Sequence, residues 1–147
     1  AVEPAHVFAQ VGTPLLIQIG TCGAMDGELA TGTVAVPRRI VARDGLSPLY
    51  GAGTDVIPSR TWADRALAAL ARRGVPATLT DHLTWPSLFA QSDAMVDGWR
   101  AEGLGTVDME AGAVAAVAAR FGAAAVALLT VWDALAEGRT FLDPLDD

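Results

Sequence analysis

The sequence predicts an α/β protein, a three-layer α/β/α sandwich around a central mixed sheet. Short apolar runs alternate with helix-forming stretches through the second half of the chain, and further strand-like runs stand in the first half. Several of these runs end in Gly-, Thr- or Asp-bearing junctions, where sheets of this kind collect ligands. The 147 residues suffice for one domain spanning 1–147, and a 52% hydrophobic content with mean hydropathy +0.36 excludes disorder.

Each element has its own signal. Leu15 to Ile19 is a short apolar run after Gly12-Thr13-Pro14 and reads as a buried strand. Gly20-Thr21-Cys22-Gly23-Ala24 follows as a tight small-residue turn. Thr33 to Val36 and Ile40 to Ala42 read as two strands broken near Pro37. A Gly- and Pro-bearing loop runs from Asp44 to Arg60. Thr61 is the expected N-cap of a helix from Trp62 to Arg73, with Leu67 and Leu70 on one face and Gly74 closing it. Val75 to Thr80 is strand-like. Ser87 is the expected cap of a helix from Leu88 to Glu102, with Met95 and Trp99 at i, i+4. Gly105 to Val107 is a short strand leading to a small-residue helix, Glu110 to Phe121. Ala124 to Val131 is a fully buried strand, and Ala134 to Asp147 is an acidic tail.

Ten basic and seventeen acidic side chains give a net charge of −7, which argues against nucleic acid as a partner. All the basic residues are Arg, with no Lys and no Asn, a bias that fits a GC-rich genome. One cysteine, Cys22, excludes an internal disulfide framework, and His6 and His82 lack metal-ligand spacing, so no metal is expected. No charged-then-apolar leader opens the chain, and the expected compartment is the cytoplasm. Ala111 to Trp132 has the length of a membrane span, but its Ala and Gly content and the central Arg120 make it a soluble helix and strand separated by Gly122.

Three clusters carry chemistry. In Gly20-Thr21-Cys22-Gly23-Ala24, small residues at a strand end let backbone N–H groups approach an anion, and the Thr hydroxyl adds a donor. A simple tight turn is the plainer alternative, with Cys22 a packed residue rather than a nucleophile. In Val107-Asp108-Met109-Glu110, two acids flank a Met where a strand enters a helix. The helix N-terminus is expected to favour the ionised form of Glu110, a strong acceptor for ribose hydroxyls. Ordinary helix-start acids with Met109 as core filler are the alternative. In Thr130-Val131-Trp132-Asp133, an Asp directly after a buried strand is placed for a raised pKa, which suits a proton donor; capping of a turn is the alternative. Trp132 beside it could form a lid, a stacking surface or plain packing.

In this order and spacing the clusters resemble the nucleoside phosphorylase-I family of purine nucleoside phosphorylases, uridine phosphorylases and nucleosidases. The stretch LIQIGTCGAMDGELATGTVAVPRRIVARDGLSPLY is similar to that family's R-x-G-[ST]-x-G-A segment, the strand after it, and its R-D-E-G-T-S-x-x-Y loop. TVDMEAGAVAAVAARFGAAAVALLTVWDAL is similar to the family's M-E helix and its last strand ending in V-S-D. The resemblance implies a phosphorylase-like fold and cleavage of a purine N-glycosidic bond, with inorganic phosphate as co-substrate and no cofactor. It implies that Thr21, with Gly20 and Gln18, lies on the phosphate side. Met109, Glu110 and Asp108 lie by the ribose, and Asp133 donates a proton toward purine N7. It places Leu83, Trp85 and Trp132 near the base.

Four departures shape the expectation. Gln18 stands where phosphorylases carry an Arg, and it offers neither charge nor a guanidinium fork; the nucleosidases also lack that Arg, which keeps hydrolysis open. Trp132 replaces a small residue beside the acid. The family's first strands and Gly/Arg phosphate loop would precede Ala1, and its closing helix is replaced by the acidic tail. Those parts are therefore expected on another chain or on a segment outside this sequence, or the chain is a shortened homologue stabilised as a homo-oligomer or by a complementing chain. A non-catalytic nucleoside-binding role is the remaining alternative.

Overall fold

A computed structural model describes residues 1–140. Six strands form one mixed sheet in the order β3-β2-β4-β5-β1-β6. They are β1 (Leu15–Ala24), β2 (Val34–Ala42), β3 (Asp55–Val56), β4 (Ala77–Thr84), β5 (Thr106–Asp108) and β6 (Ala124–Ala134). β1 with β6, β2 with β4 and β4 with β5 run parallel; β1 with β5 and β2 with β3 run antiparallel. β2 also meets β6 antiparallel, Val34 opposite Thr130 and Ala35 opposite Leu129, so the sheet curls until its two sides touch.

Four helices cover the sheet: α1 (Val2–Gln10), α2 (Arg60–Ala71), α3 (Asp93–Ala101) and α4 (Ala111–Arg120). Strand alternation sorts the side chains between two faces. On β6, Ala125, Ala127, Leu129 and Val131 pack with Val114 and Val117 of α4 and Ala5 and Ala9 of α1. Val126 and Leu128, on the opposite face, pack with Ala63 and Leu67 of α2. Leu83, Val107, Val96 and Trp99 form a further cluster under α3. These are the three expected layers. α4 has no polar side chain from Ala111 to Ala118, and all eight of those residues are buried, which its small side chains make possible by close approach to the sheet.

Several boundaries differ from the sequence reading. β2 is one strand, not two: it crosses Pro37 through a bulge between Pro37 and Arg39. A bulge is where a strand tolerates a residue with no N–H to donate. The extra residue reverses the alternation, so that Ala35 and Ile40 share one face while Val36 and Val41 share the other. Gly20 to Ala24 is no turn; it continues β1 in register with β6 as far as Ala134. Small side chains here permit a buried strand instead of breaking one. β4 extends to Thr84, beyond the expected Thr80. β6 includes Trp132 and Asp133 rather than stopping before them. α2 begins at Arg60 after Ser59, ahead of the expected cap at Thr61. α3 is nine residues long because Ser92, not Ser87, caps it, its hydroxyl accepting from Met95 N–H at 3.3 Å. Of the acidic tail, Leu135–Glu137 forms a single 3-10 turn, and residues 141–147 lie outside the described residues. No helix among the described residues is long and apolar enough to cross a membrane, and the Ala111–Trp132 stretch divides into α4 and β6.

Candidate active site

The ends of β1, β5 and β6 enclose a cleft of about 620 Å³. Gln18, Gly20 and Thr21 come from β1; Asp108, Met109 and Glu110 come from the β5–α4 junction; Trp132 and Asp133 come from β6. Eight of the ten sequence-predicted site residues thus border one opening. A bulge brings Asp133 there. β1 and β6 pair residue for residue up to Cys22 opposite Val131, and then Gly23 faces Asp133, leaving Trp132 unmatched. Without that extra residue Asp133 would follow Leu129 and Val131 into the face under α4. With it, Asp133 shares the side of Thr21 and Gly23. Trp132, at the bulge, is half exposed beside the cleft. Gly23 is bare for a reason: a Cβ there would lie 2.7 Å from Leu135 Cδ1, and Leu135 forms part of the wall.

Glu110 is the last residue before α4, half-buried at the cleft. Contrary to the expectation from the helix N-terminus, its carboxyl is held above its ordinary value. Burial raises it most and the negative charge of Asp108 raises it further, against the smaller pull of the Met109 N–H. Met109 is 41% exposed and faces the cleft rather than filling the core.

Asp108 points inward. Its Oδ1 accepts from Thr84 Oγ1 at 2.9 Å and lies 2.9 Å from His82 Nε2. Its Oδ2 accepts from Gln18 Nε2 at 3.1 Å and from Ala111 N–H at 2.9 Å. Burial pushes the carboxyl up, but the bonds and charge of His82, with Thr84 and Ala111, bring it below the usual carboxylate range. The carboxylate therefore caps α4 from beneath. Because it has no proton to give, it also fixes the flip of the Gln18 amide: the nitrogen faces Asp108, and Oε1 is buried with no hydrogen-bond partner. The Gln18 donor is thus engaged inside the protein.

Cys22 is buried, and its thiol is pushed up to about 12 by burial and by the charges of Asp108 and Asp133. It donates toward Leu129 O at 3.7 Å and is a packing residue. The carboxylates of Asp108, Glu110 and Asp133 border the cleft, and no arginine or histidine side chain does so among the described residues.

Two predicted base contacts fall elsewhere. Leu83 is fully buried in the cluster under α3, because strand alternation on β4 sends it to the face opposite His82 and Thr84. Trp85 packs against the same cluster, its ring 5.4 Å from that of Trp99. Leu88, Gln91 and Leu135 border the cleft instead. Within Thr80–Trp85, the segment that the resemblance sets by the base, the sequence reading singled out only Leu83 and Trp85; His82 and Thr84, with Thr106 of β5, all have 0% exposure. Their trace was legible: Thr80, His82 and Thr84 alternate with apolar or salt-bridged residues, and polar residues at period two on a central strand mark a buried network.

In the loop segment Arg43-Asp44-Gly45-Leu46-Ser47, the Asp44 carboxylate is engaged within the loop. Asp44 accepts from Leu46 N–H, Ser47 N–H and Ser47 Oγ, each at 2.6 Å. Tyr50 beyond it meets His6 Nδ1 at 3.1 Å, tying the loop to α1.

Comparison with known proteins matches this architecture. The model of the phosphorylase superfamily matches residues 1–146. A DeoD-type purine nucleoside phosphorylase of Alkaliphilus metalliredigens is 28% identical over 135 residues, covering 90% of this chain and 58% of the relative. A guanosine phosphorylase of Halorubrum lacusprofundi is 26% identical over 125 residues, covering 84% of this chain and 52% of the relative. The 5′-methylthioadenosine/S-adenosyl homocysteine nucleosidase of Campylobacter jejuni superposes with a TM-score of 0.83 at 16% identity, covering 97% of this chain and 66% of that one. The chain spans little more than half the length of the curated relatives it matches. With its sheet, its β5–α4 junction and its β6 bulge assembled as described, and with a superfamily model matching nearly its whole length, this chain belongs to the phosphorylase superfamily.

Proposed function

We propose that the cleft binds a purine nucleoside and that the chain serves in cleaving its N-glycosidic bond. The observation that carries this reading is the convergence of Met109 and Glu110 on one wall with Asp133 on another. The ionised Glu110 accepts hydrogen bonds from the ribose hydroxyls, and Met109 lies against the sugar. As the bond to the base lengthens, the sugar takes on oxocarbenium character and the base gathers negative charge. Asp133 in its acid form neutralises that charge by giving its proton to the departing purine. The incoming nucleophile attacks the anomeric carbon directly, so no covalent enzyme intermediate is needed. Phosphate as that nucleophile would rest against Thr21 and the backbone at Gly20, giving free base and ribose 1-phosphate without a cofactor.

Water as nucleophile is a second reading, favoured by Gln18. Its amide N–H is held by Asp108, and the cleft wall is carboxylate-rich, an environment that repels a phosphate dianion. Release of base from inosine and adenosine, followed with and without phosphate, decides between the two. Release only with phosphate means phosphorolysis; equal release in both means hydrolysis. Calorimetric binding of nucleoside with no release in either condition would identify a binding subunit, and absence of both release and binding would refute the site. We further infer that copies of this chain associate in solution.

A further inference from the structure

Beneath the cleft lies a histidine–carboxylate pair that the proposed reaction does not use. His82 is fully buried on β4, its Nδ1 2.8 Å from Thr106 Oγ1 and its Nε2 2.9 Å from Asp108 Oδ1. Its ring is held at both nitrogens, so it has one orientation. The same strand supplies Thr84, which donates to Asp108 Oδ1 and accepts from Gly112 N–H at 2.8 Å. Asp108 in turn receives Ala111 N–H. The first two N–H groups of α4 are thus held by side chains of β5 and β4, and Met109 and Glu110 are the two residues between Asp108 and that helix.

We propose that His82 is a positioning residue for the cleft: clamped between Thr106 and Asp108, its imidazole fixes the carboxylate on which the Met109–Glu110 segment and the start of α4 are anchored. The consequence for a nucleoside site rests on the function proposed above. The geometric consequence does not. His82 reaches Glu110 only through Asp108, so it orients and tunes the sugar-side acid without touching a ligand.

The charged and titratable groups around this segment come from several elements. Asp108 acts on Glu110 directly. Glu3 of α1 and Asp44 of the β2–β3 loop border the same opening as Glu110. Cys22 of β1 and Asp133 of β6 lie on the Asp108 side. Among them His82 is the group hydrogen-bonded to Asp108 that can carry positive charge. Removing it takes away one of the groups that hold the Asp108 carboxylate in place and ionised beside Glu110.

The test is carboxyl carbon NMR titration of Glu110 in the ligand-free chain, with inosine affinity measured by calorimetry, in His82→Phe, His82→Gln and Thr106→Val. In His82→Phe the Glu110 midpoint is expected to move by roughly half a pH unit or more, because the placement and charge of Asp108 beside it are no longer fixed. Inosine affinity is expected to weaken about tenfold, the scale of one charge-assisted hydrogen bond. His82→Gln keeps an N–H for Asp108 and is expected to restore both values. Thr106→Val, which frees one side of the ring, is expected to fall between. A His82→Phe protein that merely unfolds at lower temperature, with the Glu110 midpoint unchanged, overturns the proposal. If His82→Phe does not fold, a Thr106→Val protein titrating like the parent overturns it. If inosine binds to none of the proteins, the functional reading fails, while the Glu110 titration still decides the positioning role.

Discussion

Glu110 sets the pH behaviour of this site. Its carboxyl is held above its ordinary value, chiefly by burial and then by Asp108. A group whose folded value is raised favours the folded state below the unfolded value, and that benefit is lost as pH rises through the folded value. Ionised Glu110 is therefore a cost to the fold. Glu110→Gln is expected to unfold at a higher temperature than the parent at pH 7, the gap closing toward pH 4, in parallel thermal melts. The same substitution should abolish base release, because the amide is a weaker acceptor for two hydroxyls. Nucleoside affinity in the parent should fall as pH drops through the raised value, since only the ionised form accepts both. Asp133→Asn removes the proton donor proposed above, and base release is expected to slow by about 10²- to 10⁴-fold with the fold intact. Circular dichroism beside the rate assay separates the two effects, and an Asp133→Asn protein releasing base at the parental rate would remove Asp133 from the mechanism.

At the scale of elements, the start of α4 depends on side chains from two strands. Thr84 serves both Gly112 N–H and Asp108. Thr84→Val leaves both without that partner, and a loss of about 1–3 kcal/mol is expected in urea unfolding. Asp108→Asn removes the charged acceptor of a buried hydrogen-bond network and should cost about 1–3 kcal/mol near neutral pH. Because the Asp108 carboxyl is held below the usual range, its contribution is present above the ordinary value and lost as pH falls through the folded one. The difference between parent and Asp108→Asn should thus shrink in acid. Gly112 admits no side chain without rearrangement: a Cβ would stand 3.0 Å from Asp44 Oδ2 and 3.1 Å from Thr84 Oγ1. Helix start, loop and strand meet there, and Gly112→Ala, though favourable to a helix by propensity, is expected to destabilise.

Across the whole molecule, β1 is the unevenly partnered strand. It pairs with β6 along its length but with β5 only at Gly23 and Ala24. Ile17 and Ile19, 55% and 81% exposed, stand on the same stretch. A half-paired strand carrying exposed β-branched residues favours association with another chain. Sedimentation velocity over rising concentration is expected to show self-association, reduced in Ile19→Lys. A parent that sediments as a monomer throughout would refute it.

The sequence by itself determined the layers and most of the residues that border the cleft, because both rest on local signals. Apolar runs and small-residue helices have their own periodicities, and Asp108-Met109-Glu110 is contiguous. Tertiary structure decided what depends on pairing between distant segments. The bulge at Pro37 and the one at Trp132 exist only relative to a neighbouring strand, and the second directs Asp133 into the cleft. Leu83 and Trp85 lie away from the cleft because the face a residue occupies is set by register, not by nearness in sequence. The proton affinity of Glu110 followed burial and the charge of Asp108 rather than the helix N-terminus, and the network of His82, Thr84, Thr106 and Asp108 needed distant strands in register to form.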